Sequence, residues 1–221
     1  MPDATGPEME GFTLGKPALV CRWRLSGGRV PLENRHLRAL GARTVNGARL
    51  APELVAWAKQ HVEWTLEAGA ASEPNGVLML IVDEDGQAAM TVGPFAYLEN
   101  DALLDLAHRA IDSAREARVT GVAPEELWVV SDGVVLWGSE DDTYPSGAAT
   151  LVRDLLCTLG MTVTRTPGLA ATVLDGAVRV DEAFLVSDEY GVVPASNCTR
   201  IMGDKLEEGY QRLLAKTAKR R

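Results

Sequence analysis

The sequence predicts a two-domain protein of mixed α+β and α/β type. Three features predict it. Apolar runs of strand period alternate with amphipathic helical runs along the whole chain, a Gly93-Pro94 break interrupts the pattern, and 221 residues suffice for two small domains. The expected units are a flexible tail over 1–11, a small α+β domain over 12–96 and a larger α/β domain over 97–221.

The tail holds Pro2, Gly6 and Pro7 among acidic residues and lacks the basic and apolar regions of a signal peptide. Residues 18–25 (ALVCRWRL) alternate as a strand with Leu19, Cys21, Trp23 and Leu25 on one face and Arg22 and Arg24 on the other, and Gly27-Gly28 supplies the turn. From Pro52 to Ala68 the positions Leu54, Val55, Ala58, Val62 and Leu66 recur at helical spacing, with Pro52 suited to a first turn. Residues 77–82, the turn Asp83 to Gly86 and residues 87–92 read as a hairpin. Beyond Pro94, Asp101 is a candidate N-cap for a helix ending near Gly121. Residues 126–137 form two strands around Asp132-Gly133, the strongest local hairpin signal in the chain. There follow a helix over about 147–159, a strand at 161–165, a helical piece near 168–174, strands around 183–187 and 190–194, and a final helix from Asp204.

Hydrophobic residues at 46% and charged residues at 24% describe an ordinary globular chain. With 22 Lys+Arg against 31 Asp+Glu the net charge is −9, which argues against nucleic acid or an anionic membrane as main partner and favours a small-molecule ligand or substrate. No run approaches the roughly 18 apolar residues of a membrane span. Cys21, Cys157 and Cys198 are odd in number and far apart, so they support neither a disulfide framework nor a zinc site, and a reducing cytoplasm is expected. No metal site is expected.

The run VLDGAVRVDEAFLVSDEYGVVPASNCTRIMGDKLEEGYQRLL resembles the carboxy-terminal part of class IV aminotransferases and aminodeoxychorismate lyases. Upstream, WVVSDGVVLW, the helix from Gly147 and LGMTVTR are similar to that family's strand, helix and strand. CRWRLSGGRVPLENRHLRALGA is similar to its strand, glycine turn and His-Leu-x-Arg-Leu helix. The resemblance implies the class IV aminotransferase-like (D-amino acid aminotransferase-like) fold in truncated form, an interdomain cleft and a homodimer. It also implies pyridoxal phosphate chemistry, which needs a lysine Schiff base, an arginine on the phosphate and a glutamate at the pyridine nitrogen.

Against that pattern the family's phosphate arginine falls on Ala39, and Arg38 points about 100° away around a helix. The expected lysine position, near Asn100 to Leu103, holds none. The segment carrying the glutamate is absent between Gly121 and Glu125, and Gly147-Ala148-Ala149-Thr150 replaces a Gly-x-x-Arg helix start. Asp188 stands where the family sets a small residue beside the phosphate, and a carboxylate there repels that anion. The expectation is a degenerate member lacking the lysine, with no cofactor.

The candidate site is then the reused cleft. Arg22, Arg24, His36, Ser146 and Gly147 are its expected binding residues, and Asp188 with Ser187 its expected catalytic ones. Arginines there can hold a carboxylate by bidentate contact, and Asp188 can act as a general base if burial raises its pKa. The alternative is that Arg22 and Arg24 are solvated strand residues, Asp188 caps a turn and His36 packs structurally. Three functions compete: acid–base chemistry without pyridoxal phosphate on a small carboxylated metabolite, amino-acid or chorismate-derived; a non-catalytic ligand-binding or partner-supporting relative; and a pyridoxal enzyme with a displaced lysine.

Overall fold

The computed structural model describes residues 13–219, so the expected tail over 1–11 lies outside the described residues. The first unit is built on β1 (Pro17–Arg24), which pairs antiparallel with β4 (Val77–Asp83), itself antiparallel to β5 (Ala88–Gly93). Strand alternation sends Leu19, Cys21 and Trp23 into one core with Leu78, Leu80 and Val82. That core is covered by α1 (Glu33–Gly41), through Leu37 and Leu40, and by α2 (Pro52–Gly69), through Ala58 and Val62. Between the helices lies a hairpin that periodicity misses, β2 (Thr44–Val45) with β3 (Ala48–Arg49). Its strands are too short for any pattern, and its signal is the turn pair Asn46-Gly47, whose φ of 52° and 77° are those of a type I′ turn.

The second unit opens with α3 (Leu103–Thr120). The expected cap is corrected here. Asp101 lies outside the capping position, and Asn197 Oδ1, 94 residues away, accepts the Leu103 N–H at 2.8 Å. At the other end Gly121 has φ 62°, and a Cβ there would lie 2.7 Å from the Ala18 carbonyl oxygen, so α3 ends pressed against β1.

The larger sheet runs β10 (Gly191–Pro194), β9 (Glu182–Ser187), β6 (Glu126–Ser131), β7 (Val134–Trp137), β8 (Val163–Arg165), antiparallel except for β7 with β8. That parallel pair needs a crossover, which α4 (Gly147–Thr158) supplies. One face of the sheet packs Trp128, Phe184 and Val186 against α4 and α6 (Ile201–Ala218). The other packs Leu127, Val129 and Leu185 against α3 and α5 (Leu169–Leu174). The last helix begins at Ile201 rather than Asp204 because Glu182 of β9 accepts the N–H groups of Met202 (2.7 Å) and Gly203 (3.3 Å). A cap drawn from a distant strand is invisible to local reading.

The two units are joined along one seam. The Arg24 N–H at the end of β1 donates to the Asp188 carbonyl at 3.1 Å, Arg22 pairs with Glu116 of α3, and Arg35 of α1 pairs with Asp154 of α4 at 2.9 Å. No helix among the described residues is long and apolar enough to cross a membrane.

Candidate functional site

At this seam the end of β1, the start of α1, the start of α4 and the turn after β9 converge on His36 and Asp188. His36 is 3% exposed and stacks on Trp23 with ring centroids 5.2 Å apart, nearly parallel. Its Nδ1 lies 3.4 Å from Asp188 Oδ2, a contact that is ionic whenever the ring is protonated. The other carboxylate oxygen accepts the Ala148 N–H at 2.8 Å, inside the first turn of α4. A carboxylate there meets both an unsatisfied helix N–H and the positive end of the helix dipole. Ser146 caps the same helix by accepting the Ala149 N–H at 3.0 Å.

Burial pushes the Asp188 carboxyl up. The charge and hydrogen bonding of His36, the Ala148 N–H and the charge of Arg43 outweigh it and hold the group below the usual carboxylate range. The general-base role expected of Asp188 required the opposite shift. A carboxylate so held stays ionised and is a weak base, better suited to orienting His36.

Four of the sequence-predicted residues, Arg22, His36, Ser187 and Asp188, line one cavity of about 20 Å³. Gly147 abuts it, since a Cβ there would lie 2.6 Å from His36 Nδ1. Arg24 turns elsewhere: it donates to the carbonyls of Asn75 and Gly76 and lies over the Phe95 ring at 3.4 Å. Arg22 is engaged by Glu116 at 2.7 Å, and Ser187 accepts the Tyr190 N–H at 2.9 Å.

The cavity also collects residues that sequence reasoning missed: Cys21, Arg43, Ser113, Glu125 and Glu189. Burial pushes the Cys21 thiol up to about 12, so it is not a nucleophile. Burial likewise raises Glu189, which neighbours Arg22 and Arg109. Glu125 receives two N–H groups from Arg109, and that guanidinium also lies 4.6 Å from the Tyr190 ring. Behind this wall, on the β6 strand, Glu126 is 2% exposed and its carboxyl is pushed up to about 7 by burial, partly opposed by Ser139, Trp137, Arg165 and Arg43. The one signal available in sequence was adjacency, Glu189 beside Asp188 and Glu126 at the start of the apolar run 127–130.

No family model matches this sequence, and no curated protein does. Solved structures do. A protein of Legionella pneumophila assigned as a 4-amino-4-deoxychorismate lyase superposes at TM-score 0.60, with 11% identity over 93% of this chain and 97% of that one. The fold IV-transaminase of Curtobacterium pusillum gives 0.57, with 14% identity over 98% and 91%. A hypothetical aminotransferase of Mycobacterium tuberculosis in its pyridoxal phosphate-bound form gives 0.56, with 15% identity over 96% and 95%. This is the fold of class IV aminotransferases.

With the class IV fold in place, the expectation of no cofactor is corrected. A matched structure holds pyridoxal phosphate, so the comparisons point to that group rather than to none. The cleft in its described conformation does not fit it. A cavity of about 20 Å³ admits little beyond the roughly 10–15 Å³ that one water requires, Asp188 already occupies the first turn of α4, and no lysine is among the cavity-lining residues.

Proposed function

We propose that this chain binds a small carboxylated metabolite, amino-acid or chorismate-derived, in the interdomain cleft of a class IV aminotransferase scaffold. The observation that supports this reading best is the lining of the cleft: both units contribute buried or half-buried ionisable groups, Arg22, His36 and Arg43 from one and Glu125, Asp188 and Glu189 from the other, around one cavity. Charges are rarely gathered away from water unless paired or awaiting a partner. A guanidinium takes a carboxylate, and Glu189, which makes no ion pair among the described residues, suits an ammonium or hydroxyl on the same ligand. Entry of anything larger than water requires the cavity of about 20 Å³ to widen.

A second reading, acid–base turnover of that ligand, is favoured by the buried His36–Asp188 pair. Asp188, kept ionised, orients the imidazole through Nδ1 and leaves the other ring nitrogen to move a proton. The chain pairs with a second copy as a homodimer, for which light scattering of the eluting peak should give about twice the mass of one chain.

Calorimetric titration with pyruvate, L-alanine, benzoate and pyridoxal phosphate, each carboxylate beside its amide, tests the reading. Saturable heat for at least one carboxylate and none for its amide is expected. Silence across the whole panel overturns it.

A further inference from the structure

We infer that Arg43 is the anchor of this cleft for an anionic oxygen group, carboxylate or phosphate, of the small molecule that enters it. The inference rests on the reading of the cleft as a ligand site and names the residue that selects the ligand's charge.

Arg43 follows α1 in a tight turn whose backbone is fixed on both sides. Its N–H donates to the Leu40 carbonyl at 2.9 Å and its carbonyl accepts the Leu50 N–H at 3.1 Å. The residue is 9% exposed and lines the cavity beside Cys21, Trp23, His36 and Asp188. Its Nη2 is buried and has no hydrogen-bond partner. An arginine cannot shed its charge to escape this, so the unpaired N–H is a standing deficit that a bound acceptor removes.

The neighbouring guanidinium groups are already committed. Arg22 donates to Glu116 at 2.7 Å, Arg109 grips Glu125 with two nitrogens, and Arg24 serves main-chain carbonyls and the Phe95 ring. Among the described residues no carboxylate lies within ion-pair distance of Arg43. Asp188, Glu126 and Cys21 feel its charge from beyond contact. A fork with a free N–H, backed by positive charge and walled by Trp23, takes planar or tetrahedral oxyanions and repels cations. The remainder of such a ligand would leave past Arg22 and Glu189, the half-buried side of the cavity.

The test is a calorimetric titration of the full chain with pyruvate, inorganic phosphate, pyridoxal phosphate and pyridoxal, repeated on Arg43→Met, Arg43→Lys and the surface variant Arg179→Met. Pyruvate against inorganic phosphate separates the two oxyanions, and pyridoxal against its phosphate isolates the contribution of that group. Arg43→Met is expected to weaken the wild type's anionic ligand at least about tenfold, Arg43→Lys to weaken it less because the charge remains without the fork, and Arg179→Met, which breaks only surface pairs away from the cavity, to leave it within about twofold. Circular dichroism of each variant reports folding, and if Arg43→Met does not fold, Arg43→Lys decides. Wild-type affinity in a folded Arg43→Met, or in Arg43→Lys when only that variant folds, overturns the inference and leaves the ligand site standing. A wild type that binds none of the four probes overturns the site reading and the anchor with it.

Discussion

Replacing Gly147 by alanine measures how tightly the two units close on each other. Gly147 is the first residue of α4, and its α-carbon faces His36 across the seam. An alanine Cβ would lie 2.6 Å from His36 Nδ1 and 3.2 Å from the His36 backbone nitrogen. Ordinary contact begins at 3.4 Å, so the neighbours must retreat by 3.4 − 2.6, about 0.8 Å. The imidazole cannot swing away cheaply, because Trp23 stacks on it and Asp188 faces its other edge. Intrinsic helix propensity favours alanine by roughly 0.5–1 kcal/mol, whereas overpacking costs roughly 1–3 kcal/mol, so a net loss of about 1–2 kcal/mol is expected. Gly209 of α6 is the control: a Cβ there meets nothing within 4 Å, and Gly209→Ala should gain roughly 0.5–1 kcal/mol. Urea unfolding of both variants beside the wild type reads the two signs. A Gly147→Ala variant as stable as the wild type, with Gly209→Ala behaving as expected, would falsify the claim that α1 and α4 are in hard contact.

Asp188→Asn keeps an acceptor for the Ala148 N–H but removes the charge facing His36, and should lose roughly 1–3 kcal/mol at neutral pH. Because the folded carboxyl sits below its unfolded value, the wild type's advantage is present above about pH 4 and fades as pH falls through the folded value; a gap between the two proteins' urea midpoints that does not narrow down the acid limb would refute this. Glu126 behaves in the opposite sense. Its unfolded form releases the proton first, so stability falls as pH rises from 4.5 towards about 7, at about 1.4 kcal/mol per pH unit, and Glu126→Gln should flatten that slope in denaturant midpoints. Arg22→Met breaks only a part-exposed ion pair and should change stability by less than about 1 kcal/mol, checked by the same unfolding curves.

Most of the fold was legible because it is written in period and punctuation. The hairpin around Asp132-Gly133, the amphipathic α2 behind Pro52 and the strand carrying Cys21 and Trp23 all stand where residue spacing puts them. What escaped were features settled by distant partners. Asn197 rather than Asp101 caps α3, and Glu182 starts α6 early, both by bonds across 20 or more residues. The site was legible in the same partial way. Order along the chain brought Arg22, His36, Ser187 and Asp188 to one cavity, yet nothing local distinguishes Arg24, which turns to Asn75, from Arg43, which turns inward. The direction of the Asp188 shift depends on His36 and on a helix end 40 residues away, so burial alone predicted the wrong sign.

The main-chain bond from Arg24 to Asp188 stitches the end of β1 to the turn that sets Asp188 in the cavity wall. Any guest larger than a water must widen the cavity against that stitch, and whatever free energy the widening consumes is subtracted from its grip, tenfold in apparent affinity for each 1.4 kcal/mol or so. Entry rates should therefore level off at high guest concentration, where the parting of the halves and not the encounter sets the pace.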